Sequence, residues 1–285
     1  MEQHGNSDIE RGSFIASLIL LKNGNVPIKS LIDVGCADGN FALQCWNLFE
    51  GEIELLNIDA QEIYRDSLQK IQEVVGGHYR IVCASSFNGQ IRLRQGKHAY
   101  WSKLNQSFSQ LNEADTDETL VEARTLNSLV SEVQLPPPYL IKMDIEGAEF
   151  SALQGATHLL DDTSAIILET DIFYDLNSSG NFLDIYNFLG TRNFSLFDIT
   201  SLGYRPSDHI LYQIYSVFLN KKYEFRHTRP FIENSDSLTE LMNERRAYIL
   251  NLNEQILSDI REFKTMLSSF TANPMEEPSS DKASG

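Results

Sequence analysis

The sequence predicts an α/β fold built on a seven-stranded, mostly parallel sheet with an antiparallel pair at one edge. Three observations predict it. From residue 28 to about 220, short β-branched and apolar runs alternate with longer segments of helical period, the pattern of βαβ units feeding a parallel sheet. The first run passes straight into a turn bearing Gly35 and Gly39, and the second ends on an acid, Asp59. Between Asp198 and Leu211 no strong helical segment intervenes, so the last two strands pair antiparallel.

Taken in chain order, residues 1–29 form an N-terminal helical segment packing on the core, with the apolar run 14–21 (FIASLILL) covering the sheet. That run is far shorter than the ~20 residues that span a bilayer. It follows Glu2, Asp8, Glu10 and a single Arg11 and precedes no small-residue cleavage pattern, so it does not read as a signal peptide. Residues 30–222 form the main domain, with strands over 30–34, 52–58, 79–83, 139–143, 165–168, 194–199 and 211–219. Helices are expected over 40–49, 61–75, 125–133, 148–160 and 182–189. In the fourth, Ala148, Ala152, Ala156 and Leu159 lay one apolar stripe against a sheet.

Two regions break this rhythm. Residues 95–122 are polar and lack a clear period, which predicts an irregular, substrate-side insertion. Its Tyr100, Trp101 and Phe108 either stack on an acceptor or cap the core. Residues 235–270 contain no Gly or Pro and carry Leu238, Leu241, Tyr248, Leu252 and Ile256 on a three-four spacing, which predicts a long amphipathic helix. It packs on its own chain or joins two copies into a homo-oligomer; Arg245 at an apolar position opposes a clean coiled-coil seam. Residues 271–285, with two prolines among few apolar residues, are expected to be a disordered tail.

Of 285 residues, 40 are Asp or Glu and 23 are Lys or Arg, a net charge of −17. That balance opposes a sequence-independent grip on nucleic acid or on an anionic membrane. With 42% hydrophobic residues there is material for a sizeable core. Cys36, Cys45 and Cys83 are odd in number and lack metal-type spacing, so they read as reduced thiols of a cytoplasmic chain. The six histidines are scattered, and only His209, between the last two strands, is a candidate for touching substrate.

The chemistry is carried by three strand ends. The run Asp33-Val34-Gly35-Cys36-Ala37-Asp38-Gly39-Asn40 leaves the first strand for a helix, and glycines there let backbone amides approach a ligand. A dinucleotide fingerprint opening at Gly35 needs glycine at 37 and usually at 40, where Ala37 and Asn40 stand, which weakens an NAD reading. Asp59 lies twenty residues past Gly39, and its carboxylate can accept both hydroxyl protons of an adenosine ribose. Alone, the glycine turn is as readily a tight βα connection; with Asp59 it points to a nucleoside-containing ligand. The third end, residues 139–149 (YLIKMDIEGAE), runs from a buried strand into Asp144, Glu146 and Gly147. Helix-dipole stabilisation accounts for Glu149 in a first turn, but not for Asp144, which faces the crevice where open α/β sheets bind ligands.

The segment LIKMDIEGAEFSALQGA closely resembles the signature of the FkbM family of S-adenosylmethionine-dependent methyltransferases. LIDVGCADGN, NIDA, CASSFNGQIRL, ARTLNSLV, IILETDIF, NFSLFDI and YQIYSVFLN extend the resemblance over about residues 30–220. It implies the Rossmann-like sheet of class I methyltransferases, S-adenosylmethionine as cofactor, and O-methylation of a sugar, glycan or small natural-product precursor. It implies further that Asp33, Gly35 and Gly39, with Cys36 beside them, shape the methionine pocket and that Asp59 holds the ribose. Ala84 and Ser85 would line the adenine, and Asp144 would face the methyl and substrate side. Two positions depart from the family: Asn127 follows Thr-Leu where Asp is usual, and Tyr215 stands where many relatives place an acid.

Methyl transfer to a hydroxyl requires alignment and a group that takes up the hydroxyl proton. Asp144 is the first choice of base, with Glu169 and Asp171 at the end of the next strand as neighbours that support it or as alternative candidates. An ordinary Asp, with pKa ~3.9, is a weak base at neutral pH. Burial or a nearby like charge is needed to raise it, and the cluster of Asp144, Glu146, Glu169 and Asp171 could supply such repulsion. The same oxygens suit Mg²⁺, which is the less favoured reading. Two rival classes are a noncatalytic methyltransferase-like scaffold recruiting partners through the C-terminal helix, and an NAD-dependent oxidoreductase.

Overall fold

The computed structural model describes residues 12–96, 102–104, 116–172 and 180–226, and beyond these residues 243, 244, 246, 247 and 250. The chain forms two compact units, Met1–Glu224 and Phe225–Gly285. In the second unit residues 243, 244, 246, 247 and 250 are helical; the rest of the expected helix over 235–270, and the tail over 271–285, lie outside the described residues.

In the first unit, α1 (Phe14–Asn23) starts under Ser13, whose side chain accepts a hydrogen bond from Ala16 N at 3.2 Å, and buries Ala16, Ser17, Leu18 and Leu21. There follow β1 (Ser30–Val34), α2 (Asn40–Leu48), β2 (Glu54–Asp59), α3 (Arg65–Val75), β3 (His78–Ile81) and β4 (Cys83–Ala84). Next come β5 (Gly89–Gly96), β6 (Ser102–Leu104), β7 (Thr116–Arg124), α4 (Leu126–Val133), β8 (Tyr139–Met143) and α5 (Glu149–Gln154). The last are β9 (Thr163–Asp171), α6 (Phe182–Gly190), β10 (Phe194–Tyr204) and β11 (Leu211–Asn220).

Seven strands form one sheet in the order β10-β11-β9-β8-β1-β2-β3. Only β11 runs against its neighbours, β10 and β9, so the predicted parallel sheet with an antiparallel edge pair is the one observed. β1 and β8 are buried at every residue, as strands covered on both faces must be. From β1 the chain moves outward through β2 and β3, then returns to β8 on the other side of β1. That reversal opens the crevice at the carboxyl ends of β1 and β8. One face of the sheet, through Ile32, Val34, Ile141 and Met143, packs on Leu126 of α4, Leu153 of α5 and Leu189 of α6. On the other face a polar row lies in register, Asp33 opposite Asn57 on one side and opposite Lys142 on the other.

Several expectations are corrected. The segment 95–122 is not irregular throughout: β5 and β7 pair antiparallel from Gly89–Ala123 to Gly96–Thr116 in a second, four-stranded sheet of order β4-β7-β5-β6. Tyr100, Trp101 and Phe108 lie outside the described residues. The helix expected over 148–160 ends as α5 at Gln154, and a separate 3₁₀ turn covers Leu159–Asp162. Its apolar stripe is nonetheless buried at Ala148, Ala152, Ala156 and Leu159. The expected third strand splits into β3 and β4, and a 3₁₀ turn, Glu62–Tyr64, precedes α3.

Candidate active site

The turn after β1 is held open by backbone geometry. Gly35 and Gly39 have φ of +73° and +81°, and a Cβ at Gly35 would fall on the Asp144 carbonyl oxygen. Gly35 N and Cys36 N donate to Ile58 O at 2.8 and 3.2 Å, which ties the turn to β2. At the end of β2, Asp59 is buried, and its carboxylate accepts from Ala37 N at 2.9 Å and Gln61 N at 2.8 Å. Burial raises its pKa against those hydrogen bonds. Each carboxylate oxygen has acceptor capacity beyond one bond, so Asp59 retains room for hydroxyl donors.

Beneath the turn Asp33 is fully buried. Neither of its oxygens, nor Asn57 Oδ1 beside it, receives a hydrogen bond among the described residues. Burial pushes the Asp33 carboxyl up to about 6, with the Lys142 charge acting against that rise. Lys142 Nζ stands 3.5 Å from Asp33 Oδ1, 3.4 Å from Asp144 Oδ2 and 3.1 Å from Gly35 O. Burial works against its charge, but Asp33 and Asp144 outweigh it, so its pKa is raised and the ammonium is kept. Unmet acceptors under a glycine turn, with a ribose-type carboxylate on the next strand, fit the amino-acid and adenosine halves of S-adenosylmethionine.

Asp144, Glu169 and Tyr215 form a row across three adjacent strand ends. Met143 pairs with Leu168, which sets Asp144 beside Glu169, and Glu169 pairs with Tyr215. Tyr215 Oη donates to Asp144 Oδ2 at 2.5 Å. Burial alone would raise the Asp144 pKa, yet the Lys142 charge and the Tyr215 hydrogen bond bring it below the ordinary value. The repulsion expected to raise Asp144 acts on its neighbour instead. Burial, then the Asp144 charge and hydrogen bond, push Glu169 up to about 9. The two carboxyls are thus driven in opposite directions, Asp144 toward its ionised form and Glu169 toward its protonated form.

Carboxylate oxygens of Asp144, Glu146 and Glu169 lie within 4.8 Å of one another, a spacing that can hold a cation. The Lys142 ammonium, 3.4 Å from Asp144 Oδ2, already places a positive charge beside that cluster. Asp171, at the exposed end of β9, borders a small cleft with Glu146, Glu169 and Gly180. Glu149 is a structural cap: its carboxylate accepts from Ile145 N at 2.8 Å and Gly147 N at 3.0 Å, and burial pushes it up to about 7.

The remaining expected site residues are placed as follows. Ala84 and Ser85 are buried; Val82, two residues before Ala84, donates its N–H to Asp59 O at 2.8 Å, and Ser85 N donates to Arg124 O at 2.9 Å. Cys36 is a buried thiol whose pKa is driven up by burial. Asn127 Oδ1 accepts from Leu159 N at 3.3 Å, a bond to the 3₁₀ turn. His209 sits exposed in the β10–β11 turn with φ of +57°. Sequence reasoning passed over Lys142, although a lysine inside the buried strand YLIKM must find counter-charge and so was a readable signal.

The Methyltransferase FkbM domain family matches residues 33–206. No curated protein matches the chain. Among solved structures, magnesium protoporphyrin IX methyltransferase from Synechocystis PCC 6803 with bound SAM is 15% identical over 77% of this chain and 86% of its own, with a TM-score of 0.36. An S-adenosylmethionine-dependent methyltransferase from Clostridium acetobutylicum ATCC 824 is 9% identical over 75% and 92%, with a TM-score of 0.39. These likenesses are distant, and the assignment rests on the family match together with the glycine turn and strand-end carboxylates inside it. The chain belongs to the FkbM family of S-adenosylmethionine-dependent methyltransferases.

Proposed function

We propose that the protein is an O-methyltransferase acting on a hydroxyl of a sugar, glycan or small natural-product precursor. The observation that carries this reading is the Asp144 carboxylate, kept ionised by Lys142 and Tyr215 at a strand end whose backbone abuts Gly35 of the cofactor turn. S-adenosylmethionine, when bound, supplies a methyl group activated by a sulfonium. Asp33, Gly35, Cys36 and Gly39 would hold its amino-acid half, Asp59 its ribose, and Ala84 with Ser85 its adenine.

Asp144 orients the acceptor by accepting its hydroxyl hydrogen, then takes up the proton. Its low pKa is no obstacle, because the O–H becomes strongly acidic as the oxygen forms its third bond, so a weak base suffices late in the step. Glu169, being protonated, serves as the neighbour that keeps Asp144 from collecting a proton beforehand. Asp171 borders the same cleft and is the alternative contact for the acceptor.

The test is a panel of hydroxylated acceptors assayed for methyl ether product. Asp144→Asn is expected to lower kcat by about 10²–10⁴-fold, the range for removing a general base, with S-adenosylhomocysteine affinity unchanged. Undiminished turnover in that variant contradicts the role of Asp144. Tight cofactor binding with no turnover across the panel favours the noncatalytic scaffold.

A further inference from the structure

We propose that Tyr215 is a positioning residue for Asp144, pinned in place by Phe14, so that helix α1 is a working part of the acceptor side of the site. Both residues lie outside the segment 33–206 that the family matches. The inference rests on the reading of Asp144 as the group facing the transferable methyl.

Tyr215 stands on β11, two strands from Asp144, and reaches it only through its hydroxyl, which donates to Oδ2 at 2.5 Å. Lys142 Nζ approaches the same oxygen at 3.4 Å from the β1 side. Two donors from opposite sides on Oδ2 fix the rotation of the carboxylate, and neither contact uses Oδ1. Removing the phenol hydroxyl would leave Asp144 with the Lys142 charge and the Glu169 hydrogen bond, and would take away the donor that reaches Oδ2 from β11.

The phenol ring is itself held. Phe14 packs on it with centroids 5.4 Å apart and also meets Phe41 of α2 edge-on at 5.2 Å. Phe41 in turn lies 5.7 Å from Lys142 Nζ, so one aromatic chain from α1 touches both anchors of Asp144. α1 is fastened independently of Phe14: Ser17 Oγ donates to Asp198 Oδ2 at 2.7 Å, and Leu18 and Leu21 are fully buried.

The test needs no acceptor. Sinefungin is an analogue of S-adenosylmethionine with an ammonium where the methyl would be, so its affinity relative to S-adenosylhomocysteine reports a carboxylate aimed at that point. Both dissociation constants are measured calorimetrically on the full chain. Asp144→Asn is expected to cut the sinefungin preference about tenfold, the worth of a charge-assisted contact, and to leave S-adenosylhomocysteine binding unchanged. If it does not, the reading of Asp144 fails and this inference goes with it.

Given that drop, Tyr215→Phe is expected to lose about fivefold in the same preference, again with unchanged S-adenosylhomocysteine affinity, and to add nothing on top of Asp144→Asn. Phe14→Leu, which keeps the core apolar, is expected to move the preference the same way by a smaller factor. A Tyr215→Phe protein with wild-type preference overturns the proposal. So does one in which both affinities fall together, since that is damage to the pocket and not misplacement of Asp144.

Discussion

A lysine in the middle of a strand buried on both faces needs counter-charge within reach, and Lys142 has two, Asp33 at 3.5 Å and Asp144 at 3.4 Å. Lys142→Met leaves Asp33 buried with neither hydrogen bond nor counter-charge, and the expected loss of stability is about 3–5 kcal/mol, as for buried pairs broken on one side. Asp33→Asn combined with Lys142→Met is expected to recover much of it, and denaturant unfolding of the three proteins checks both statements. Gly35→Ala is expected to cost at least about 3 kcal/mol, because it joins a positive φ to a collision with the Asp144 backbone. The same denaturant series measures it. Asp33, Gly35, Asp59 and Asp144 were legible in the sequence because each sits at a strand end in a local pattern. The contact of Lys142 with Asp33 and that of Tyr215 with Asp144 were not, since they depend on β8 lying beside β1 and β11 beside β9, an adjacency no local pattern states.

Among the elements, β9 carries the sharpest pH signature. Glu169 has a folded-state pKa of about 9 against an ordinary 4.5, so the folded chain binds its proton more tightly than the unfolded chain. The stabilisation linked to that proton is fully present below about 4.5 and is lost as pH rises through about 9. Glu169→Gln cannot ionise and escapes the loss. Its thermal midpoint is therefore expected to gain on the wild type as pH increases across that window, read by thermal scans in a series of buffers. A constant difference at all pH values contradicts the assignment of the proton to Glu169.

The main-sheet strands were readable as apolar runs, whereas β5 and β7 were not. Along Gly89–Gly96 the apolar positions are only Ile91 and Leu93, alternating with Gln90 and Arg92, and Thr116–Arg124 is dominated by charged and polar residues. A two-residue inner face is enough for a strand whose pairing is supplied by its partner, but not enough to show as a period. The apolar stripe predicts a helix over 148–160, longer than the one observed, because it continues through Ala156 and Leu159, which stay buried although the backbone leaves the α-helix at Gln154.

For the whole molecule, the reversal of strand order at β1 and β8 explains why residues far apart in sequence meet in one crevice. The same topology brings the carboxylates of Asp144, Glu146 and Glu169 together beside the Lys142 ammonium, which already supplies positive charge there. EDTA is therefore expected to leave the thermal shift produced by S-adenosylhomocysteine unchanged, and added Mg²⁺ is expected not to enlarge it. Among the described residues no helix is long and apolar enough to cross a membrane.

The most direct measurement is the thermal midpoint of the full chain titrated with S-adenosylhomocysteine, wild type beside Asp59→Ala. Saturation at about 100 times the dissociation constant should stabilise the wild type by about 2.7 kcal/mol, a rise of several degrees. Asp59→Ala should fold and show no rise at the same concentration. A wild-type midpoint that does not move, or an Asp59→Ala protein stabilised as strongly as the wild type, contradicts the placement of the cofactor between the β1 turn and the end of β2.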